Sequence, residues 1–319
     1  MSRYILNRLL IAIPTLIGIT ILIFLAMRVL PGDPLSIIMS ESSGKFVLSD
    51  EELAQARASL GLDRPYYVQY LDWMKDVVTG NLGSSFWTQE PIRDLILRRG
   101  PITAQIALMA VIFSWLVGVP LGMVSAFWRN SLVDYMSRLA VTVFIAVPSF
   151  WFGLLIMLFT VLVFNWRTPL SIVQLWEDPL TNLSMTLLPA LALGLGLAAV
   201  QARMTRSAAL EILYEDYIRT ARAKGLNEKL VMWRHVFKNA MLPVITTSGL
   251  ALGGLLGGAV SVERAFSVPG LGTLLVQALN DRDWMMIQNL VLIYGIIFAV
   301  INLLVDLSYA WFDPRIRYE

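Results

Sequence analysis

Residues 100–128, GPITAQIALMAVIFSWLVGVPLGMVSAFW, run for 29 positions without a charged side chain. A helix needs roughly 20 apolar residues to cross a bilayer, so this stretch is long enough to span one. Outward from it the pattern recurs at 9–27, 139–166, 179–202, 239–262 and 284–305, with lengths of 19, 28, 24, 24 and 22. These runs make up nearly half of the 319 residues, 57% of which are hydrophobic and 15% charged; soluble domains carry about 25% charged. The expected fold is an all-α membrane protein with six transmembrane helices. Only 28–99 is longer than a short loop between runs, which leaves no room for a large soluble catalytic domain.

Charge fixes the expected orientation. Arg3 and Arg8 precede the first run and no A-x-A-like site follows it, so the segment reads as a signal anchor rather than a cleaved leader. With the N-terminus inside, segments 1–8, 129–138, 203–238 and 306–319 hold 14 Lys/Arg, against 3 in the short outside segments 167–178 and 263–283. That is the positive-inside asymmetry, and both termini are predicted cytoplasmic. The net charge of +2 gives no reason to expect nucleic acid. The absence of cysteine excludes disulfides and thiolate chemistry, and a single histidine, His235, excludes polyhistidine metal sites.

The expected organisation is 1–27 as the cytoplasmic N-terminus and first membrane helix, 28–99 as an extracytoplasmic helical region, and 100–319 as a five-helix transmembrane core. In 28–99, Pro31-Gly32-Asp33-Pro34 stops the first helix, Ser49-Asp50-Glu51-Glu52 is a capping box, and Gly61 can end the helix it opens. A second helix has Pro65 in its first turn, the aromatics Tyr66, Tyr67, Tyr70 and Trp73 on one side, and Gly80 at its end. The aromatic face reads equally as a docking surface for an extracytoplasmic partner or as a cap packed on helix ends.

The most informative inside segment is 203–238. Tyr217-Ile218-Arg219-Thr220-Ala221-Arg222-Ala223-Lys224-Gly225-Leu226 reads as a helix stopped at Gly225, after which Asn227 caps a helix beginning Glu228-Lys229-Leu230. Its alternatives are a rigid part that transmits displacement to a partner and a solvated basic loop.

This segment resembles the coupling region, or EAA loop, of ABC importer membrane subunits. Arg219-Thr220-Ala221 stands at the E-A-A position, Gly225 at the glycine and Leu242-Pro243 at the downstream Leu-Pro. Arg219 in place of glutamate and the long interval to Pro243 are similar to the peptide-importer branch, as are Arg234-His235 and Asn239 to Thr246. Further matches follow in order along the chain: Arg8-Leu9-Leu10 with Pro14, Pro31-Gly32-Asp33-Pro34, Gly80-Asn81-Leu82-Gly83, Pro148-Ser149-Phe150-Trp151, Phe266 to Gly272, Arg282-Asp283, and Asp306 with Asp313-Pro314-Arg315. The resemblance is to B-type permease subunits of dipeptide/oligopeptide importers, whose relatives also carry glutathione, nickel chelates or oligosaccharides.

The resemblance implies a type I ABC importer permease fold in a bacterial or archaeal inner membrane. It also implies four kinds of partner: a homologous sister permease, two cytoplasmic ABC ATPases that bind ATP and Mg, an extracytoplasmic substrate-binding protein, and the lipid bilayer. Arg219, Thr220, Ala221, Arg222, Lys224, Gly225 and Leu226 would then be the ATPase-coupling residues. The chain has no G-x-x-x-x-G-K-[ST] loop to cradle ATP, so it is expected to be the non-ATPase subunit of an ATP-hydrolysing complex. No catalytic residue, cofactor or metal is expected on the chain itself.

Other residues leave alternatives open. Gly249, Gly253, Gly254, Gly257 and Gly258 permit close helix approach, either within the subunit or against a sister permease; Gly194 and Gly196 are weaker cases. Pro14, Pro120, Pro148 and Pro189 are fixed bends or gating hinges. Asp306 is a structural ion-pair candidate near the cytoplasmic interface or a proton-relay carboxylate. Of the rival classes, an ion-coupled secondary transporter would show inverted repeats and midplane charges. An intramembrane hydrolase would need paired carboxylates, a metal site or a nucleophile with a nearby base; Ser149 has only the distant His235. Neither rival accounts for 203–238.

Overall fold

The structure is a computed structural model describing residues 2–29, 63–169 and 171–312; the turn at 31–34, the capping box at 49–52, Gly61 and residues 313–315 lie outside the described residues. Helix α1 is Ser2–Val29, α2 Tyr66–Thr79, α3 Ile92–Phe127, α4 Leu132–Ala146, α5 Ser149–Phe164 and α6 Pro179–Leu213. A short α7, Asp216–Ala223, is followed by α8, Glu228–Leu230, a π-helical turn over Val231–Phe237, and α9, Lys238–Phe266. Helices α10, Leu271–Asn280, and α11, Trp284–Phe312, come last.

Four stretches cross as unbroken spans by length and composition, and two bent pairs bring the number to six. The run 139–166, read from sequence as one helix, is a pair: α4 and α5 meet at 99°. The physical reason is at Val147 and Pro148. Proline restricts the residue before it to extended backbone, and Val147 has φ −95° and ψ 129°. Pro14, Pro120 and Pro189 instead lie inside unbroken helices. Helix ends also outrun the charge-free runs, α6 continuing through Arg203 and Arg206 to Leu213.

The chain forms two compact units. One is built on Arg99–Thr273 with the residues from Val300, the other on Leu6–Arg98 with Leu274–Ala299. In the first, α6 is the central helix. Its Met185, Ala190, Leu193 and Leu197 share a buried cluster with Ile102 and Ile106 of α3 and with Ala259, Val262 and Phe266 of α9. Helices α3 and α6 touch at backbone level: a methyl group placed on Gly118 or Gly122 would land on the carbonyl oxygen of Ala198 or Ala202. The same helix pair is tight at Gly194, against Phe113 and Ala110.

Two buried carboxylates join elements of this unit. Glu263, at 0% exposure, accepts from the Thr103 hydroxyl (2.6 Å) and from the backbone N–H groups of Gly272 (2.8 Å) and Thr273 (3.1 Å). It therefore caps α10, where an anion meets the positive end of the helix. Asp134 is also fully buried and accepts from the Ser125 hydroxyl (2.6 Å), the Asn130 N–H (3.1 Å) and both Nε and Nη2 of Arg206 (2.8 and 3.0 Å).

The second unit settles part of the aromatic question. Trp73 joins Phe24 and Leu292 in a buried cluster, and the Tyr70 hydroxyl pairs with that of Thr20 at 2.8 Å. Tyr66 and Tyr67 stay 60% and 69% exposed, so packing claims one half of the set and leaves the other uncovered. Pro65 precedes the first turn as N-cap, and Gly80 ends α2 at φ 80°. Asp283 accepts from the Ser85 hydroxyl (2.6 Å) and the Phe86 N–H (3.0 Å).

Overpacking a tight contact costs about 1–3 kcal/mol. Gly122→Val is expected to lower the thermal midpoint of the detergent-solubilised protein accordingly, whereas Gly254→Ala, which meets no atom within 4 Å, does not. Equal midpoints for wild type and both variants would contradict the close approach of α3 and α6.

Candidate functional site

The segment after α6 turns sharply. Tyr214 and Glu215 close off α6, their N–H groups donating to Glu211 and Ile212 carbonyls, and α7 begins at Asp216. An eight-residue helix is marginal alone, so its stability must come from one packed face. That face is Ile218 and Ala221, at 0% and 6% exposure, which join Ala126 of α3, Ala208 and Ala209 of α6, and Val231, Met232 and Val236 of the π turn. Tyr217, Arg219, Thr220, Arg222 and Lys224 point outward.

The end of α7 is a Schellman motif. Gly225, at φ 80°, donates its N–H to the Arg222 carbonyl (2.9 Å), and Leu226 donates to that of Ala221 (3.3 Å) while packing on the same cluster. Asn227 then accepts from the Lys229 N–H (3.0 Å) and starts α8. Across the turn, Arg222 reaches Glu228 with two hydrogen bonds, 3.1 and 2.6 Å, and this raises the guanidinium pKa above its ordinary value. Both side chains are over 40% exposed, so the pair shapes the turn more than it stabilises it. Asn239 at the start of α9 donates to the Tyr217 hydroxyl (3.1 Å), and Arg219 pairs with Asp216 (3.2 Å).

The seven named coupling residues thus fall together on α7 and its cap, with Ala221 and Leu226 inward and the rest outward. Sequence reading missed Glu228 as the partner of Arg222, and the anchoring role of Ile218. The second was detectable: Ile218 and Ala221 are three apart in a charged stretch, the spacing of a helix face. The π turn had no signal. In it Val231 and Val236, five apart, are buried and His235 only half so, which is the i→i+5 phase.

The remaining candidates are dispersed. A methyl on Gly249 would strike Val305, Gly258 is in ordinary contact with Leu193, and Gly254 and Gly257 face open space; Gly253 is buried in α9. Pro148 and Ser149 stand at the bend between α4 and α5. Asp306 falls within α11, its side chain outside the described residues.

Residues 118–318 match the family described as binding-protein-dependent transport system inner membrane component. The chain belongs to this family. Residues 1–107 match its N-terminal companion, the membrane component N-terminal family. The permease is 39% identical over the full length of both chains to the dipeptide transport system permease protein DppB of Alkalihalophilus pseudofirmus. It is 39% identical, again end to end, to a putative peptide transport system permease protein of Brucella abortus, and 38% identical to the glutathione transport system permease protein GsiC of Salmonella typhimurium. Among solved structures, the MetNI methionine ABC transporter in an inward-facing conformation aligns with 70% of this chain and 99% of that one, at TM-score 0.59 and 18% identity. The fold is that of an ABC importer permease.

The packed face makes a quantitative prediction for this permease. Replacing a buried Ile or Leu by Ala costs about 2–5 kcal/mol, while an exposed ion pair contributes about 0–1 kcal/mol. In hydrogen exchange on the full chain, Ile218→Ala is expected to speed exchange across 216–226 by about 30-fold or more, and Arg222→Ala by no more than about fivefold. A larger effect from Arg222→Ala would move the anchor of α7 from its buried face to the ion pair.

Proposed function

We propose that this permease subunit imports di- or oligopeptides, forming the translocation path with a homologous sister permease and taking its energy from two ATPases that dock on α7. The observation that carries the reading is the packing of α7: a short helix projecting from the ends of α6 and α9, seated on Ile218 and Ala221, with its outer face free. Moving a two-state permease from 1:99 to 99:1 takes about 5.5 kcal/mol of differential binding. A helix fixed to three neighbouring elements can carry such a load, whereas a solvated loop would bend first. ATP and Mg belong to the ATPases, a binding protein delivers substrate, and the positive-inside balance supports a cytoplasmic α7 and cytoplasmic termini.

Peptide as substrate class is supported by the names of relatives alike over their whole length. A second reading, glutathione, is favoured by a relative almost as similar. The exposed Gly254 and Gly257 on α9 suit a face covered by the sister permease, since small residues let helices approach closely. Tyr66 and Tyr67 suit contact with the binding protein.

Gly225 provides the test. A Cβ there meets no atom within 4 Å, so inside the chain only its positive φ constrains the residue. Gly225→Asn, which tolerates a left-handed backbone, is expected to keep the protein in the membrane with most of its peptide uptake. Gly225→Asp adds a carboxylate to the projecting turn and is expected to insert normally but lose uptake and peptide-stimulated ATPase activity in the purified complex. Wild-type uptake by Gly225→Asp at equal expression would refute docking at this turn.

A further inference from the structure

The first unit holds a cavity of about 180 Å³ between α3, α4 and α6 that the coupling site does not use. Its polar lining is Ser125, whose hydroxyl is spent on Asp134, with Ser137, Arg138, Thr142, Arg203, Arg206 and Ser207. Three arginines on one small cavity demand an account of their charge. Arg206 has one, the bidentate contact with buried Asp134. Arg138 lies 3.7 Å from the same, already engaged, carboxylate, with its guanidinium 4.6 Å from the centre of the Tyr135 ring. Arg203 makes no ion pair or hydrogen bond among the described residues, and neither do the Ser137 and Ser207 hydroxyls. One carboxylate thus faces three guanidiniums, with two unused hydroxyl donors beside them.

Depth says which anion belongs there. Arg138 is the residue immediately before the apolar run 139–166, and Arg203 the residue immediately after 179–202. Both stand where hydrocarbon gives way to headgroups, the level of lipid phosphates. The α4 side chains next along the membrane from this mouth, Leu139 and Val143, are 58% and 47% exposed, an apolar track leading from the charged pocket. Basic pockets between membrane helices hold anionic headgroups in this way.

We propose that this cavity binds the phosphate headgroup of an anionic phospholipid, with Arg138 and Arg203 neutralising the phosphate, Ser137 and Ser207 donating to its oxygens, and the acyl chains lying along α4. Arg206 serves as the wall of the site, held by Asp134. The bound lipid fills the joint between α4 and α6, two helices that otherwise meet through small and polar side chains at this level. The inference goes beyond the transport reading and does not depend on the substrate or on the docking of α7.

The test uses the full chain in its detergent-solubilised complex, with labelled phosphatidylglycerol, phosphatidylcholine and inorganic phosphate as probes. Saturable binding of phosphatidylglycerol and not of phosphatidylcholine is expected. Removing each arginine from an anionic surface is worth about a factor of five, so Arg138→Gln with Arg203→Gln should weaken binding about 25-fold. Ser207→Trp keeps both charges and fills the cavity from its exposed edge; it should abolish the saturable component, and it decides the matter if the double variant does not accumulate. Equal affinity in wild type and Ser207→Trp, or equal binding of the two lipids, would overturn the proposal. Displacement of the lipid by inorganic phosphate at comparable affinity would make the site one for a free anion and likewise overturn it. So would loss of the sister permease from the double variant with lipid binding intact, since the arginines would then be subunit contacts.

Discussion

Within hydrocarbon no water replaces a lost backbone hydrogen bond, and each unsatisfied group costs several kcal/mol. The helix breaks of this chain respect that constraint: those at or beyond the ends of the apolar runs are capped, and the one inside a run leaves little unpaired. Ser131 caps α4, accepting from the Asp134 N–H at 3.4 Å, and Asp178 caps α6, accepting from Leu180 and Thr181 at 3.2 Å each. Helices α5 and α9 end on Asn165 and Ser267 in left-handed conformation, each returning N–H groups to the last turn. The sharpest break falls where least is lost: Pro148 has no N–H to leave unpaired, Val147 still donates to Val143, and the Pro148 carbonyl accepts from Trp151 at 3.0 Å.

Glu263 shows the same constraint met by a charge. It sits one residue beyond the fifth charge-free run and supplies the oxygens that the first turn of α10 needs. The space for it is made by Gly270, where a methyl would occupy the place of the carboxylate, and by Gly272, where one would strike the Val260 backbone and crowd the carboxylate oxygen. Thr103 completes the joint by donating to Glu263 and accepting from the Leu271 N–H at 2.8 Å, tying α3 to α9 and α10. The stretch from Phe266 to Gly272, met in the sequence only as part of a resemblance, thus has a local cause in the fit of one acidic side chain.

What was legible in the sequence was whatever rests on one residue's own chemistry. The spans follow from the cost of charge in hydrocarbon, the end of α2 from Gly80, and the turn after α7 from Gly225 and Asn227, because caps need only local bonds. Illegible features depended on a partner far along the chain. Gly118 and Gly122 looked no different from Gly254 and Gly257, yet a methyl on the first pair meets α6 backbone and one on the second meets nothing within 4 Å among the described residues. The end of α6 was not legible because charge marks the edge of the bilayer, whereas the helix ends where its hydrogen bonds do, past Arg203 and Arg206.

Helix α7 joins these threads. An element of eight residues cannot hold its shape by propensity, and its outer face carries charges that bring no packing. Its rigidity is borrowed through Ile218 and Ala221 from α3, α6 and the π turn, and through the Leu226 side chain from its own cap. The π turn is necessary to this arrangement. With α-helical phase from Val231, His235 would follow Val231 into the core; the wider turn puts Val236 there and leaves Trp233 67% exposed. A displacement imposed on α7 therefore acts on an interface of buried aliphatic side chains shared with the long helices α3 and α6. Close-packed interiors shift as bodies more readily than they deform, so the displacement passes to the helices that cross the membrane.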